Sequence, residues 1–233
     1  MDRGARLEAL QDRVGYTFKD LSLLEQALTH ASFRNEHPDV VQDNQRLEFL
    51  GDAVLEVVIS HAVFRCFPEA SEGRLTEFRA KLVNTDALAS LATALDLGSC
   101  VRLGRGEELS GGRARTSVLA DTLEALFGAV YEDGGFEQAE RCLLALFDDH
   151  IQSVGSQPSK DPRSRLQQWA HAQHGVLPAY EVEDTLGPDG EPLFTARITV
   201  MGSPVTATAS AKTKKAAARD AALRALEMIA RVT

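Results

Sequence analysis

Two pairs of carboxylates sit inside apolar helical runs. In NQRLEFLGDAVLEVVIS, residues 44–60, Glu48 and Asp52 are four apart, and in LADTLEALFGAV, residues 119–130, Asp121 and Glu124 are three apart. Either spacing puts both acids on one side of a helix. An isolated buried carboxylate takes up a proton rather than stay charged. Two of them about 4 Å apart also repel by about 4 kcal/mol at an effective dielectric near ~20. A partner must offset both terms. Arg46 is one candidate, and a divalent cation shared by several acids is a better one. Two helices that each offer two acids to a common core would make a four-carboxylate cluster. An oxygen-only donor set favours Mg2+ or Mn2+ over Zn2+. A carboxylate-bridged iron bundle would also use inward acids, but it needs Glu-x-x-His pairs. The chain has none, since His61 follows Glu56 by five. Taken singly, each acid reads as solvated or arginine-paired surface charge, Glu56 included.

The elements that must carry these acids follow from periodicity. Apolar spacings of three and four predict helices over 6–14, 20–32 and 45–66, and a long helical stretch over 71–97 that breaks near Asn84. FRNEHPDVVQDNQ (33–45) and the Gly/Arg-rich GRGEELSGGRARTS (104–117) read as loops. The helix of Asp121 and Glu124 is bounded by Ser117 as N-cap and Gly134-Gly135 as stop, and FEQAERCLLALFDDHI forms another helix. VGSQPSKDP (154–162) has Gly, Ser and two prolines without an apolar period and sets the linker at 154–161. Beyond it the pattern changes. A short helix precedes three strand-like runs, AYEVEDT, LFTARITV and PVTATAS, and an Ala-rich helix closes the chain. The reading is a mainly α domain over 1–153 and a small α+β unit of order α-β-β-β-α over 162–233.

Bulk properties bound the function. The 233 residues are 44% hydrophobic and 25% charged, as in an ordinary globular protein. The N-terminus lacks the apolar core of a secretory signal, and no apolar run reaches membrane-spanning length. Cys66, Cys100 and Cys142 are odd in number and far apart, which suits a reducing cytoplasm. The net charge of −9 is unevenly spread, because residues 160–233 hold ten basic and eight acidic side chains. The acidic remainder would repel phosphate unless divalent cations neutralise part of it.

NQRLEFLGDAVL closely resembles the signature of the ribonuclease III family, the double-stranded-RNA endonucleases. THAS (29–32), EGRLTEFRAKLV (72–83), LGRGEELSGGR (103–113) and LADTLEALFGAVYEDGG (119–135) resemble that family too, in its order, and the C-terminal unit resembles its double-stranded-RNA-binding domain. The resemblance implies that Glu48, Asp52, Asp121 and Glu124 hold Mg2+, with Mn2+ as substitute, and that Asp52 and Glu124 are catalytic. It places a further acid at Glu72. At the second signature position, where the family usually has Glu, stands Gln45, which keeps hydrogen-bonding capacity but loses a charge. No Ser, Cys or His nucleophile and no organic cofactor is called for, and His30 reads as packing or capping. The expected reaction is hydrolysis to 5′-phosphate and 3′-hydroxyl ends with two-nucleotide 3′ overhangs, in ribosomal and other structured RNA precursors. The resemblance further implies a homodimer, with Leu47, Phe49, Leu50 and Val54 partly facing the partner.

A-form RNA offers side chains its shallow minor groove and the phosphates across the major groove. Lys212, Lys214 and Lys215 at the start of the last helix add ammonium charge to a positive helix end. Gln167 and Gln168 are placed to reach 2′-hydroxyls, and the GPDG loop to enter the next minor groove. Gly190 stands where the family often has His, and Ala209-Ser210-Ala211 replaces a frequent Gly-x-Gly, so weaker binding is expected.

Overall fold

The computed structural model describes residues 2–156, 161–186 and 190–231. The chain divides into two compact units at Ser156. In the first unit the helices are α1 (Arg3–Val14), α2 (Leu21–Ala27), α3 (Ala31–Glu36), α4 (Gln45–Cys66), α5 (Glu72–Leu82), α6 (Thr85–Ala94), α7 (Arg105–Leu109), α8 (Thr116–Gly134) and α9 (Phe136–Ser156). Among the described residues no helix is long and apolar enough to cross a membrane.

Helix α8 is the axis of this unit. It buries Val118, Leu119, Ala120, Thr122, Leu123 and every residue from Ala125 to Val130, the pattern of a helix enclosed on nearly all sides. The Thr122 hydroxyl is satisfied within the helix by donating to the Val118 carbonyl at 2.6 Å. Helix α4 buries Leu47, Gly51, Val54, Leu55, Val58 and Ile59 against this core. The two helices touch backbone to backbone. A Cβ on Gly51 would lie 1.8 Å from the Glu124 carbonyl oxygen, and one on Gly128 2.1 Å from that of Leu47. Only glycine permits such an approach.

Several expectations are corrected. The helix expected over 20–32 ends at Ala27, because the next residues pair with residue 102. Thr29 bridges Arg102 in parallel, Arg102 N–H donates to Leu28 at 2.7 Å and His30 N–H to Arg102 at 3.1 Å. Helix α3 then starts at Ala31 and runs on to Glu36, into the expected loop, with His30 as its cap accepting the Ser32 N–H at 3.2 Å. The Gly/Arg-rich segment is ordered into α7 and a 3₁₀ turn at Gly112–Ala114. Arg113 stitches it by donating to the Gly98 and Val101 carbonyls at 2.7 and 2.8 Å. Helix α8 begins at Thr116 after Arg115, so Ser117 lies inside the first turn and is not its cap. Helix α9 runs through 154–156, the start of the expected linker. Val154 is buried, and Gly155 lies so close to Phe67 that a Cβ would meet its ring at 2.3 Å. Residues 157–160 of that linker lie outside the described residues. The expected break at Asn84 is there. Its amide donates to the Ala80 and Lys81 carbonyls at the end of α5, and its oxygen accepts the Ala87 N–H of α6 at 3.0 Å.

The second unit runs α10 (Pro162–His174), β1 (Ala179–Leu186), β2 (Pro192–Thr199), β3 (Thr206–Ala211) and α11 (Lys214–Ala230). The sheet is antiparallel in the order β1-β2-β3. Ala196, Ile198, Ala207 and Ala209 face inward onto Leu166, Ala170 and the buried alanines of α11. Thr195 and Ser210 pair on the other face through their hydroxyls at 2.8 Å. Ala209 is buried in this core and Ala211 packs half-buried against it, so both alanines of the expected weak point are accommodated in β3.

The α4–α8 contact sets a stability expectation. Gly51→Ala must separate two backbones, so it should cost about 3 kcal/mol, the upper end for overpacking. Urea unfolding measures this. A loss under about 0.5 kcal/mol, the ordinary surface value, would mean that the two helices do not touch there.

Candidate active site and RNA-binding surface

Glu48 enters the site from the first turn of α4, where its N–H donates to the Asn44 carbonyl at 2.8 Å. Asp121 and Glu124 enter from α8 as the two polar breaks in its buried stretch. The three half-buried side chains each offer an oxygen, and these oxygens all lie within 4.8 Å of one another. Asp52 is exposed and outside this trio. Four residues on, the helix has risen about 6 Å and turned about 40°. Its charge still acts on Glu48 and Glu124. The structure therefore gathers three of the four expected acids and leaves the fourth at the rim.

No lysine or arginine pairs with these acids among the described residues. Arg46 is exposed and makes no ion pair with them. The electrostatics follow. Burial first, then the charges of Asp52, Asp121 and Glu48, push the Glu124 carboxyl up to about 7. Burial and the neighbouring acids Asp121, Asp43 and Asp52 raise Glu48. Burial raises Asp121, with His30 working weakly the other way. Three crowded carboxyl groups that no described lysine or arginine pairs with are a donor set that fits a hard divalent ion.

Glu72 opens α5, is exposed and accepts the Thr76 hydroxyl at 3.2 Å. It lines a surface groove with Ser60, His61, Phe64 and Arg79, and none of the clustered acids shares that groove. Gln45 is the exposed first residue of α4. The expected partner-facing residues divide. Leu47 and Val54 are buried in the chain's own core and Leu50 is half-buried, whereas Phe49 is 81% exposed. Val57 and Phe64, which the sequence reading missed, are also exposed on α4. Asp43 was missed as well, although an Asp-Asn pair before an apolar helix is a capping signal.

On the second unit, Lys214 and Lys215 open α11. Lys212 precedes the cap residue Thr213, whose hydroxyl accepts the Ala216 N–H at 3.1 Å, so it lies just outside the helix. All three lysines are exposed, as are Gln167 and Gln168 on α10. The Lys214 ammonium is not free. It sits 3.0 Å from Asp184 and 5.4 Å above the centre of the Phe194 ring. An exposed pair of this kind is worth about 0–1 kcal/mol, a small barrier to a phosphate. Gly190 is exposed with φ +78°, while the rest of the GPDG loop lies outside the described residues.

Residues 20–149 match the Ribonuclease-III-like family model, and residues 162–229 match the double-stranded RNA binding motif. The chain is similar to Ribonuclease 3 of Syntrophotalea carbinolica, 43% identical over 94% of this chain and 95% of the relative. It is also similar to Ribonuclease 3 of Geobacter sulfurreducens, 42% identical over 97% and 91%. Among solved structures, a nuclease domain of ribonuclease III from Campylobacter jejuni matches with a TM-score of 0.58 and 41% identity. It covers 61% of this chain and 96% of the domain.

The raised Glu124 carboxyl makes metal-free stability depend on pH. Between the ordinary value of 4.5 and about 7, the folded protein holds a proton that the unfolded chain has released. Stability must fall as pH rises through that window and level off above it. Glu124→Gln removes this ionisation. In EDTA its melting temperature should exceed the wild type's near about pH 8, with the gap shrinking towards about pH 4.5. An equal gap at both ends would show that Glu124 does not titrate against its neighbours.

Proposed function

The chain belongs to the ribonuclease III family, and from that membership we propose that it cleaves double-stranded RNA at the Glu48–Asp121–Glu124 cluster with a divalent metal. It is an endoribonuclease that acts on double-stranded RNA. The observation that carries the site assignment is the meeting of three half-buried carboxyl groups within 4.8 Å.

Glu48, Asp121 and Glu124 would hold Mg2+, or Mn2+ in its place, with Asp52 completing the set from the rim. When bound, such an ion lowers the pKa of water and stabilises charge on a phosphodiester in attack. The protein's own part is to keep the acids crowded and half-dry. Glu124, which burial and its acidic neighbours raise to about 7 without metal, would be held ionised by the cation it helps to bind. Asp52, more open to solvent, is placed to orient a water or take its proton. Water attack at phosphorus with departure of the 3′ oxygen would leave 5′-phosphate and 3′-hydroxyl ends. Gln45, at the start of α4, and Glu72, in the separate groove beside Phe64 and Arg79, are auxiliary groups rather than holders of metal. RNA is held by Gln167, Gln168, Lys212, Lys214, Lys215 and the loop at Gly190.

We read the active form as a homodimer whose two sites cut opposite strands with short 3′ overhangs. The exposed Phe49, Val57 and Phe64 on α4 support this, because apolar side chains gathered on one surface mark an interface. A solved Campylobacter jejuni relative is described as having a region involved in dimer formation. The reading of the chain as two units, a catalytic domain over about 1–153 and an RNA-binding domain over about 162–233, accords with the compact division at Ser156. Processing of ribosomal RNA precursors in the cytoplasm is the proposed setting, which the three free thiols suit.

A cleavage assay on a long end-labelled RNA duplex tests the division of labour. Wild-type protein should cut with Mg2+ and not with EDTA. Glu124→Gln should lose cutting by more than about 100-fold, the upper end for losing even an outer partner of a metal site, while retaining RNA binding. Lys214→Ala with Lys215→Ala should weaken binding and lower its log–log salt slope by about one to two units. Loss of RNA binding in Glu124→Gln, or full cutting in EDTA, would refute the assignment.

A further inference from the structure

Asp43 is a carboxylate that the proposed chemistry does not use, and it is only 6% exposed. Its Oδ1 accepts the Gln45 N–H at 3.2 Å, closing an Asx-type turn at the start of α4. Asn44, the residue next to the helix, has right-handed helical backbone and makes no side-chain cap. Asp43 therefore satisfies a first-turn donor that Asn44 leaves open. The backbone here is also clamped. The Asp43 carbonyl accepts the Gln26 side-chain amide at 3.1 Å, and Asn44 N–H donates to the Thr29 carbonyl at 2.9 Å. The other carboxylate oxygen, Oδ2, makes no hydrogen bond but lies 3.0 Å from Arg34 Nη1, an ion pair whose arginine side is 42% exposed.

Capping alone does not explain a charge at this position. Asn or Ser would accept the same N–H without the cost of burying a carboxylate. The charge has Arg34 on one side and acts on Glu48, one turn into α4, on the other. We propose that Asp43, anchored by Arg34, is a positioning residue for the acidic centre. It fixes the turn that carries Glu48 to Asp121 and Glu124, and it adds negative field that favours a divalent cation among them. The inference rests on the reading of that cluster as the metal site.

The test is Mn2+ binding to the full chain without RNA, followed by the electron paramagnetic resonance of free Mn2+, beside melting temperature and duplex cleavage. Asp43→Asn and Asp43→Ser keep a capping oxygen and lose the charge. Both should weaken Mn2+ affinity about tenfold, within the range seen when outer partners of metal ligands are lost. Cleavage at saturating Mn2+ should recover, and duplex binding should be unchanged. Asp43→Ala, which also loses the cap, should bind Mn2+ more weakly still and melt lower. Wild-type Mn2+ affinity in both the Asn and Ser variants, with only the Ala variant melting lower, would reduce Asp43 to a cap and overturn the inference alone. Failure of the wild type to bind Mn2+ would overturn the metal site and this inference with it.

Discussion

The close approach of α4 and α8 is the constraint on which the rest of the first unit depends. Gly51 sits on the carbonyl of Glu124, and Gly128 on that of Leu47. The same contact therefore packs the core and sets the separation of the acids. Glu48 lies one turn before Gly51, and Glu124 one turn before Gly128. Any larger residue at either glycine pushes the two acid-bearing helices apart as it opens the core. Interiors this dense transmit such shifts rather than absorb them.

Holding the acids together opposes folding. Three carboxyl groups crowd within 4.8 Å, and the rise of Glu124 to about 7 is the signature of that opposition. The surrounding apolar packing must outweigh it. Leu123, Leu126, Phe127 and Val130 on α8 are fully buried beside the acids, and burying a large apolar side chain contributes about 1.5–3 kcal/mol. The acidic centre is thus supported by the most buried helix of the unit.

Periodicity made α4 and α8 legible, because their acids interrupt long apolar runs that admit no other reading. The spacing of three and four placed Glu48, Asp121 and Glu124 on faces that do meet. It could not place Asp52, since sharing a helix side does not fix which of two successive turns lies against a neighbour. The same blindness hid the partition of α4, where Leu47 and Val54 turn inward and Phe49, Val57 and Phe64 outward. Both sets are apolar, and only tertiary packing separates them. The shortened helix after Asp20 and the ordered Gly/Arg segment were missed for a related reason. Thr29 pairs with Arg102, seventy-three residues away, and Arg113 holds the segment by reaching back to Gly98 and Val101. Long-range backbone capture leaves no local pattern. The break at Asn84 was legible because one side chain both ends α5 and starts α6.

The charge imbalance along the chain has a physical logic. A cluster able to attract a divalent cation also repels an RNA backbone, so affinity for phosphate is best supplied elsewhere. Residues 160–233 carry ten basic side chains against eight acidic ones, while the remainder of the chain is strongly acidic. Even there the cations are tempered, since Lys214 rests against Asp184. An exposed pair holds the ammonium near the start of α11 at little energetic depth. A phosphate, adding its charge to the positive end of the helix, can displace the carboxylate without a rearrangement of the fold. On the proposed reading, binding strength and cutting chemistry are set by different side chains on different units, so that a change in one leaves the other in place.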